Sequence, residues 1–274
     1  SQTHELKLDI FDFTYRQSRL YTQRNEPQIE VYSAITQQKL MTWDHFKNNI
    51  IALDSDRDSV VAADSQGNVY RLDPLTGNVI ETLETELTNI SSLQVEGNQV
   101  RLSSWEHGTQ IWDFHSKKRT FLNPRKDENI TLAVLSQGAL ITATAVQKIE
   151  LWNVPQGKRI QTLSRLPNVV SQAHLSDNDL LLAYKSGAVD TYAFSPDSAA
   201  LTFSSREKPF ESEVTALQQT ENIQLFGSGN GDVYIKVGEH QDRLKLQGSI
   251  SNIQILKSDP LEAIVVITYT GSTI

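Results

Sequence analysis

Residues 151–163 read LWNVPQGKRIQTL. An alternating run closing on Trp152, a turn containing Pro155 and Gly157, and a second alternating run predict a β-hairpin. Whether it stands alone or is one copy of a repeat decides the fold, because repeats impose their own architecture. Aligned on Trp152, Trp112 ends TQIW, Leu72 ends NVYRL, Tyr32 ends QIEVY and Tyr192 ends AVDTY, so four successive intervals are each 40 residues.

Two further columns share this period. Gly67, Gly108, Gly187, Gly231 and Gly271 precede the third strand of their repeats, where Pro27 and Gln147 stand in two others. Glycine there suits a turn that needs positive φ. Gly77 and Gly157 mark the following hairpin, with Lys117 midway between them, where a differently built turn is expected. Each repeat contains four short runs, such as NIIALD, SVVAAD, NVYRLD and NVIETL in the second, and no segment keeps a helical period.

Four strands in about 40–45 residues are the repeat of a β-propeller blade. The expectation is therefore all-β: a single seven-bladed β-propeller with four-stranded antiparallel blades over residues 1–274. Its blades fall at about 10–45, 46–86, 87–126, 127–166, 167–208, 209–247 and 248–274. The seventh starts with ISNIQIL from Ile250, continues with EAIVVITYTG and lacks a fourth strand. Residues 2–8 are expected to supply it, closing the ring and removing an unpaired edge. A strand from a partner could fill the same gap.

The stretches IWD at 111–113, LWNVPQGKRIQTL and DSQGNVYRLDPLTGNVIETL at 64–83 resemble the WD-repeat family. That family's Gly-His pair is missing, and its turn Asp is replaced by Gln66, His107, Ser186 and Asn230. The resemblance implies a loop-rich face built from the connections into each first strand and the turns between second and third strands. By register this face collects Trp43, His45, Phe46 and Lys47, then Trp105, Glu106 and His107. Arg125, Lys126, Arg165, Lys185, Arg206, Lys208 and Phe210 follow. Aromatic and arginine side chains on such a rim are the types enriched in binding hot spots. The expected partner-binding set is Trp43, His45, Phe46, Trp105, His107, Arg125, Lys126, Arg206, Lys208 and Phe210, centred on Trp105 and His107. Trp112 and Trp152 are expected to pack between blades.

Composition narrows the function. A net charge of −8 disfavours nucleic acid as a direct ligand. The absence of cysteine excludes thiolate chemistry and suits either redox compartment, with a cytoplasmic or nuclear setting expected and an exported one left open. The longest apolar run, AIVVITY from Ala263, is far too short to span a bilayer as a helix. No G-x-S-x-G, P-loop or H-E-x-x-H motif is present, and GSGNG at 227–231 opens no helix. None of the six histidines forms an i,i+2 or i,i+4 pair, so neither a metal nor another cofactor is expected. These observations point to a non-catalytic scaffold that binds a peptide segment or domain of another protein, within a multisubunit complex. The alternatives are an enzyme or cofactor binder working in the central channel, and an assembly subunit whose seventh blade accepts a partner's strand.

Overall fold

The computed structural model describes residues 11–104, 106–122, 130–176, 178–195, 200–220, 222–257 and 262–269. The chain is an all-β propeller of four-stranded antiparallel blades. It separates into two compact units, residues 1–126 and 127–274.

The first unit holds three blades. Blade one is β1 (Asp12–Arg16), β2 (Arg19–Gln23), β3 (Ile29–Ser33) and β4 (Lys39–Trp43). Blade two is β5 (Ile50–Ser55), β6 (Val60–Asp64), β7 (Asn68–Leu72) and β8 (Val79–Glu84). Blade three is β9 (Ile90–Glu96), β10 (Gln99–Ser104), β11 (Gly108–Asp113) and β12 (Lys118–Leu122).

The second unit holds three more. Blade four is β13 (Ile130–Ser136), β14 (Ala139–Thr144), β15 (Lys148–Asn153) and β16 (Lys158–Ser164). Blade five is β17 (Val170–Leu175), β18 (Asp179–Tyr184), β19 (Val189–Ser195) and β20 (Ala200–Glu207). Blade six is β21 (Val214–Gln219), β22 (Ile223–Ser228), β23 (Asp232–Val237) and β24 (His240–Lys245). A two-stranded sheet of β25 (Ser249–Lys257) and β26 (Glu262–Tyr269) follows.

The described residues thus form six four-stranded blades, not seven. The segment after blade six gives a two-stranded sheet, in which the eight-residue β26 pairs with the nine-residue β25. Residues 2–8, expected to complete a seventh blade, lie outside the described residues.

Second strands are the most buried. All five residues of β6 and all six of β14 are buried, whereas every residue of β24 is exposed. A strand covered on both faces needs a nearly continuous apolar run, as VVAAD and ALITAT supply. The cores lie between successive blades within each unit. Ile29, Val31 and Leu72 join blades one and two, and Val61, Leu83 and Leu102 join two and three. In the second unit Ile141, Leu151 and Leu182 join blades four and five, and Leu181, Val214 and Phe226 join five and six.

The 40-residue columns acquire physical meaning here. Tyr32, Leu72, Trp112, Trp152 and Tyr192 each follow a register shift between the third and fourth strands. Such bulges bend and twist the outer strand. Gly67, Gly108, Gly187 and Gly231 all have φ between +70° and +87°. At Gly187 a Cβ would lie 2.1 Å from the Phe210 carbonyl oxygen, so absence of a side chain lets the chain into blade six pass over the turn. Contrary to expectation, the hairpin at Lys117 is built like its neighbours: Lys117 has φ 54°, beside 75° at Gly77 and 61° at Gly157.

First strands have one edge without a strand neighbour, and side chains of adjacent blades cap it. Asp12 Oδ2 accepts the Leu53 amide at 3.2 Å, and Asp54 Oδ2 accepts the Val95 amide at 2.8 Å. Gln218 Oε1 does the same for Ile255. Burial pushes the Asp12 carboxyl up to about 7 and that of Asp54 up to about 6, against the lowering effect of these amides.

Two outcomes are expected. Gly187→Ala should cost about 3 kcal/mol in urea denaturation, because backbone must move. Gly157→Ala, with nothing within 4 Å of a Cβ, should cost only about 1 kcal/mol for its left-handed conformation. Because the folded state holds the Asp12 proton more tightly than the unfolded chain, ionisation removes stability as pH rises from about 4 through about 7. Asp12→Asn keeps an acceptor for Leu53 but cannot ionise. Its melting temperature should therefore fall less than that of the wild type between about pH 5 and pH 8, measured by circular dichroism.

Candidate functional site

The repeat places polar side chains at fixed depths, and most are used within the blade. Asp64, Ser104, Thr144, Tyr184 and Ser228 end the second strands and are all buried. Asp64 Oδ1 accepts the Gln66 and Asn68 amides, both at 2.9 Å, and its Oδ2 accepts from Asn48, Asn68 and Tyr70. Burial alone would raise the Asp64 carboxyl, but these donors outweigh it and hold it below the usual range. Blade two therefore has a turn anchored by an aspartate three residues before Gly67, despite lacking one at Gln66.

A second polar column lies two residues before each bulge: Glu30, Tyr70, Gln110, Glu150 and Asp190. Buried Glu30 takes Lys39, with Arg24 at 3.0 Å, and Tyr32 donates to it at 2.9 Å. Glu150 takes Arg159 at 2.6 Å and Lys148 at 3.1 Å. Asp190 receives Arg206 at 2.5 and 2.8 Å and the Tyr184 hydroxyl at 2.8 Å. Burial, followed by the hydrogen bond to Asp190, raises the Tyr184 phenol far above its ordinary value. Period-40 spacing could have revealed both columns, but their chemistry varies from blade to blade and hides them from an identity-based reading.

The expected binding residues divide accordingly. Trp43 is buried, its ring centroid 5.3 Å from that of Tyr21, and a Cβ on Gly77 would fall 2.5 Å from the indole. Phe46 is buried with Tyr70 at 5.4 Å, and Phe210 belongs to the core of blades five and six. These three rings pack between blades because they sit where the chain crosses from one blade to the next. Arg206 neutralises buried Asp190. His45 is exposed with its ring 4.5 Å from that of Phe46, and exposed Lys208 pairs with Glu211. Trp105, Arg125 and Lys126 lie outside the described residues.

His107 is exposed, its Nδ1 3.4 Å from Ser104 Oγ, and opens onto a groove of about 630 Å³ on blade three. Leu87 and Trp112 give the groove apolar wall, while Gln110, Lys118 and Arg119 line its polar side. Trp112 is half-buried rather than fully packed, unlike Trp152, whose exposure is 6%. A second groove of about 320 Å³ occupies the corresponding place on blade six, between Phe210 on the incoming connection, Asn230 in the inner turn and Arg243 on the outer strand. Among the described residues no three His, Asp or Glu side chains are grouped as a metal site requires. No helix among them is long and apolar enough to cross a membrane.

No family model matches the chain, and no curated protein matches it. Among solved structures, that of the computationally designed Ika8 protein is similar, with a TM-score of 0.73 at 17% identity over 94% of this chain and 83% of that one. At that identity the likeness establishes the fold alone.

Arg206→Ala should lower stability by about 1–3 kcal/mol, because it strips the ion-pair partner from a fully buried carboxylate. The range allows for the exposed half of the Arg206 side chain. Chemical denaturation measures this, and Lys208→Ala, at an exposed pair, should change it by less than about 0.5 kcal/mol.

Proposed function

We propose that this chain is a non-catalytic interaction module of WD-repeat type that holds a segment of another protein. One observation carries the reading. Blades one, four and five answer the polar column of their third strands with their own cations, whereas blade three leaves His107, Lys118 and Arg119 exposed around an open groove. Paired strands hold the backbone that carries these side chains in place, so little backbone ordering entropy is lost when a partner docks. Aromatic surface from Trp112 beside exposed cations is the mixture found at binding hot spots. The net charge of −8 favours protein over nucleic acid as the partner.

The two-stranded sheet favours a second reading: β25–β26 accepts further strands, from residues 2–8 or from another chain, making the protein an assembly subunit.

The first reading is tested by affinity capture on immobilised wild type and on a His107→Ala, Lys118→Ala double variant. Proteins retained by the wild type should be lost from the variant, while its melting temperature stays within about 2 °C. An identical set of captured proteins would place the binding surface elsewhere. For the second reading, deletion of residues 1–8 should lower the melting temperature if those residues complete the sheet. Unchanged melting would leave the partner's strand as the remaining source.

A further inference from the structure

The repeat register exposes a missing charge. Lys39, Arg119 and Arg159 occupy one position, each directly opposite the bulge residue of its blade: Tyr32, Trp112 and Trp152. In blade one Lys39 is neutralised by Glu30, and in blade four Arg159 by Glu150 at 2.6 Å. Blade three has Gln110 in the place of those carboxylates.

Neutral Gln110 is already engaged, since its Oε1 accepts the Trp112 indole N–H at 3.0 Å. In blade four the corresponding indole donates to Thr142 instead, at 3.3 Å, leaving Glu150 to the cations. Arg119 is therefore a cation whose anion has been removed from the blade. Lys117 and Lys118 precede it, and all three are exposed, with no carboxylate partner among the described residues. They border the same groove, where Glu86 is the sole carboxylate among the described lining residues.

We propose that this groove is a docking site for an acidic, extended segment of a partner protein, whose carboxylates supply Arg119 with the negative charge that Glu30 and Glu150 supply to Lys39 and Arg159. Gln110 fills the space of the sister-blade carboxylates without their charge, so an anion that answers Arg119 approaches from the groove. A guanidinium with an open fork is suited to carboxylates, and charge-assisted hydrogen bonds are the stronger kind. The half-buried face of Trp112 provides apolar surface for side chains alternating with the acidic ones. A nucleic acid is disfavoured, since its dense phosphates would meet the field of the whole acidic chain rather than three cations. The assignment rests on the reading of the protein as an interaction module and names the partner's chemistry.

The test is fluorescence anisotropy with a labelled Glu-rich peptide and its Gln-rich counterpart of equal length, on folded proteins verified by circular dichroism. The acidic peptide should bind at least about tenfold more tightly, with the advantage shrinking as salt rises. Arg119→Glu should abolish that advantage, whereas Lys158→Glu, at the position on blade four equivalent to Lys118, should leave it intact. Gln110→Glu restores the carboxylate of the sister blades. It should weaken peptide binding by about tenfold in wild type and have little further effect once Arg119→Ala is present.

Equal binding of the two peptides, equal losses from Arg119→Glu and Lys158→Glu, or a Gln110→Glu effect that persists without Arg119 would each overturn the proposal. Displacement of the peptide by a single-stranded oligonucleotide of matched charge would also overturn it. Failure here, with captured proteins still lost from the His107→Ala, Lys118→Ala variant, removes the acidic partner and keeps the module. Failure of both removes the module reading.

Discussion

A four-stranded blade has two apolar faces and can cover neither by itself. Burial therefore comes from blade standing against blade, and the second strand, deepest in the stack, becomes the least exposed element. Close stacking constrains everything that passes between blades. Each connection must leave an outer strand and cross to the next inner strand without holding the faces apart. Glycines with positive φ make this possible, as the near contact of Gly187 with the Phe210 carbonyl shows. The aromatic rings beside those crossings, Trp43, Phe46 and Phe210, are drawn into the same gap.

Edges are the second consequence. An inner strand cannot pair with its counterpart in the next blade, so its outward amides need acceptors. Asp12, Asp54 and Gln218 reach across to supply them. Two of these acceptors are carboxylates in desolvated positions, and this links the inner edge to pH. Farther out, the third strands of blades one, four and five bury an acidic residue and answer it with a cation from the fourth. Those pairs are structural, and blade three, with Gln110 at that position, leaves the cation of its fourth strand, Arg119, without one.

Much of the architecture was legible in the residues. Period-40 spacing of Tyr32, Leu72, Trp112, Trp152 and Tyr192 identifies the blade, because a bulge must recur wherever the outer strand bends. Glycine columns mark the turns for the same backbone reason. The candidate site was less legible. Trp43, Phe46 and Phe210 read as loop aromatics available to a partner, yet a ring near an inter-blade crossing is buried by the neighbouring blade, whose approach no local pattern states. Arg206 looked like a rim cation because its partner, Asp190, lies 16 residues away and opposite it only once the strands pair. Lys117 looked exceptional, although a lysine can adopt the left-handed turn that glycine favours.

The sequence by itself determined strand, turn and repeat, because alternation, glycine placement and a constant interval are properties of neighbouring residues and their period. It also held the exchange of Gln110 for the glutamates of blades one and four, as a single letter. Only the tertiary structure decided which aromatics are buried and which cation lacks its anion. Those outcomes depend on pairing and packing between distant segments, and a charge is known to be unanswered only when its surroundings have been assembled.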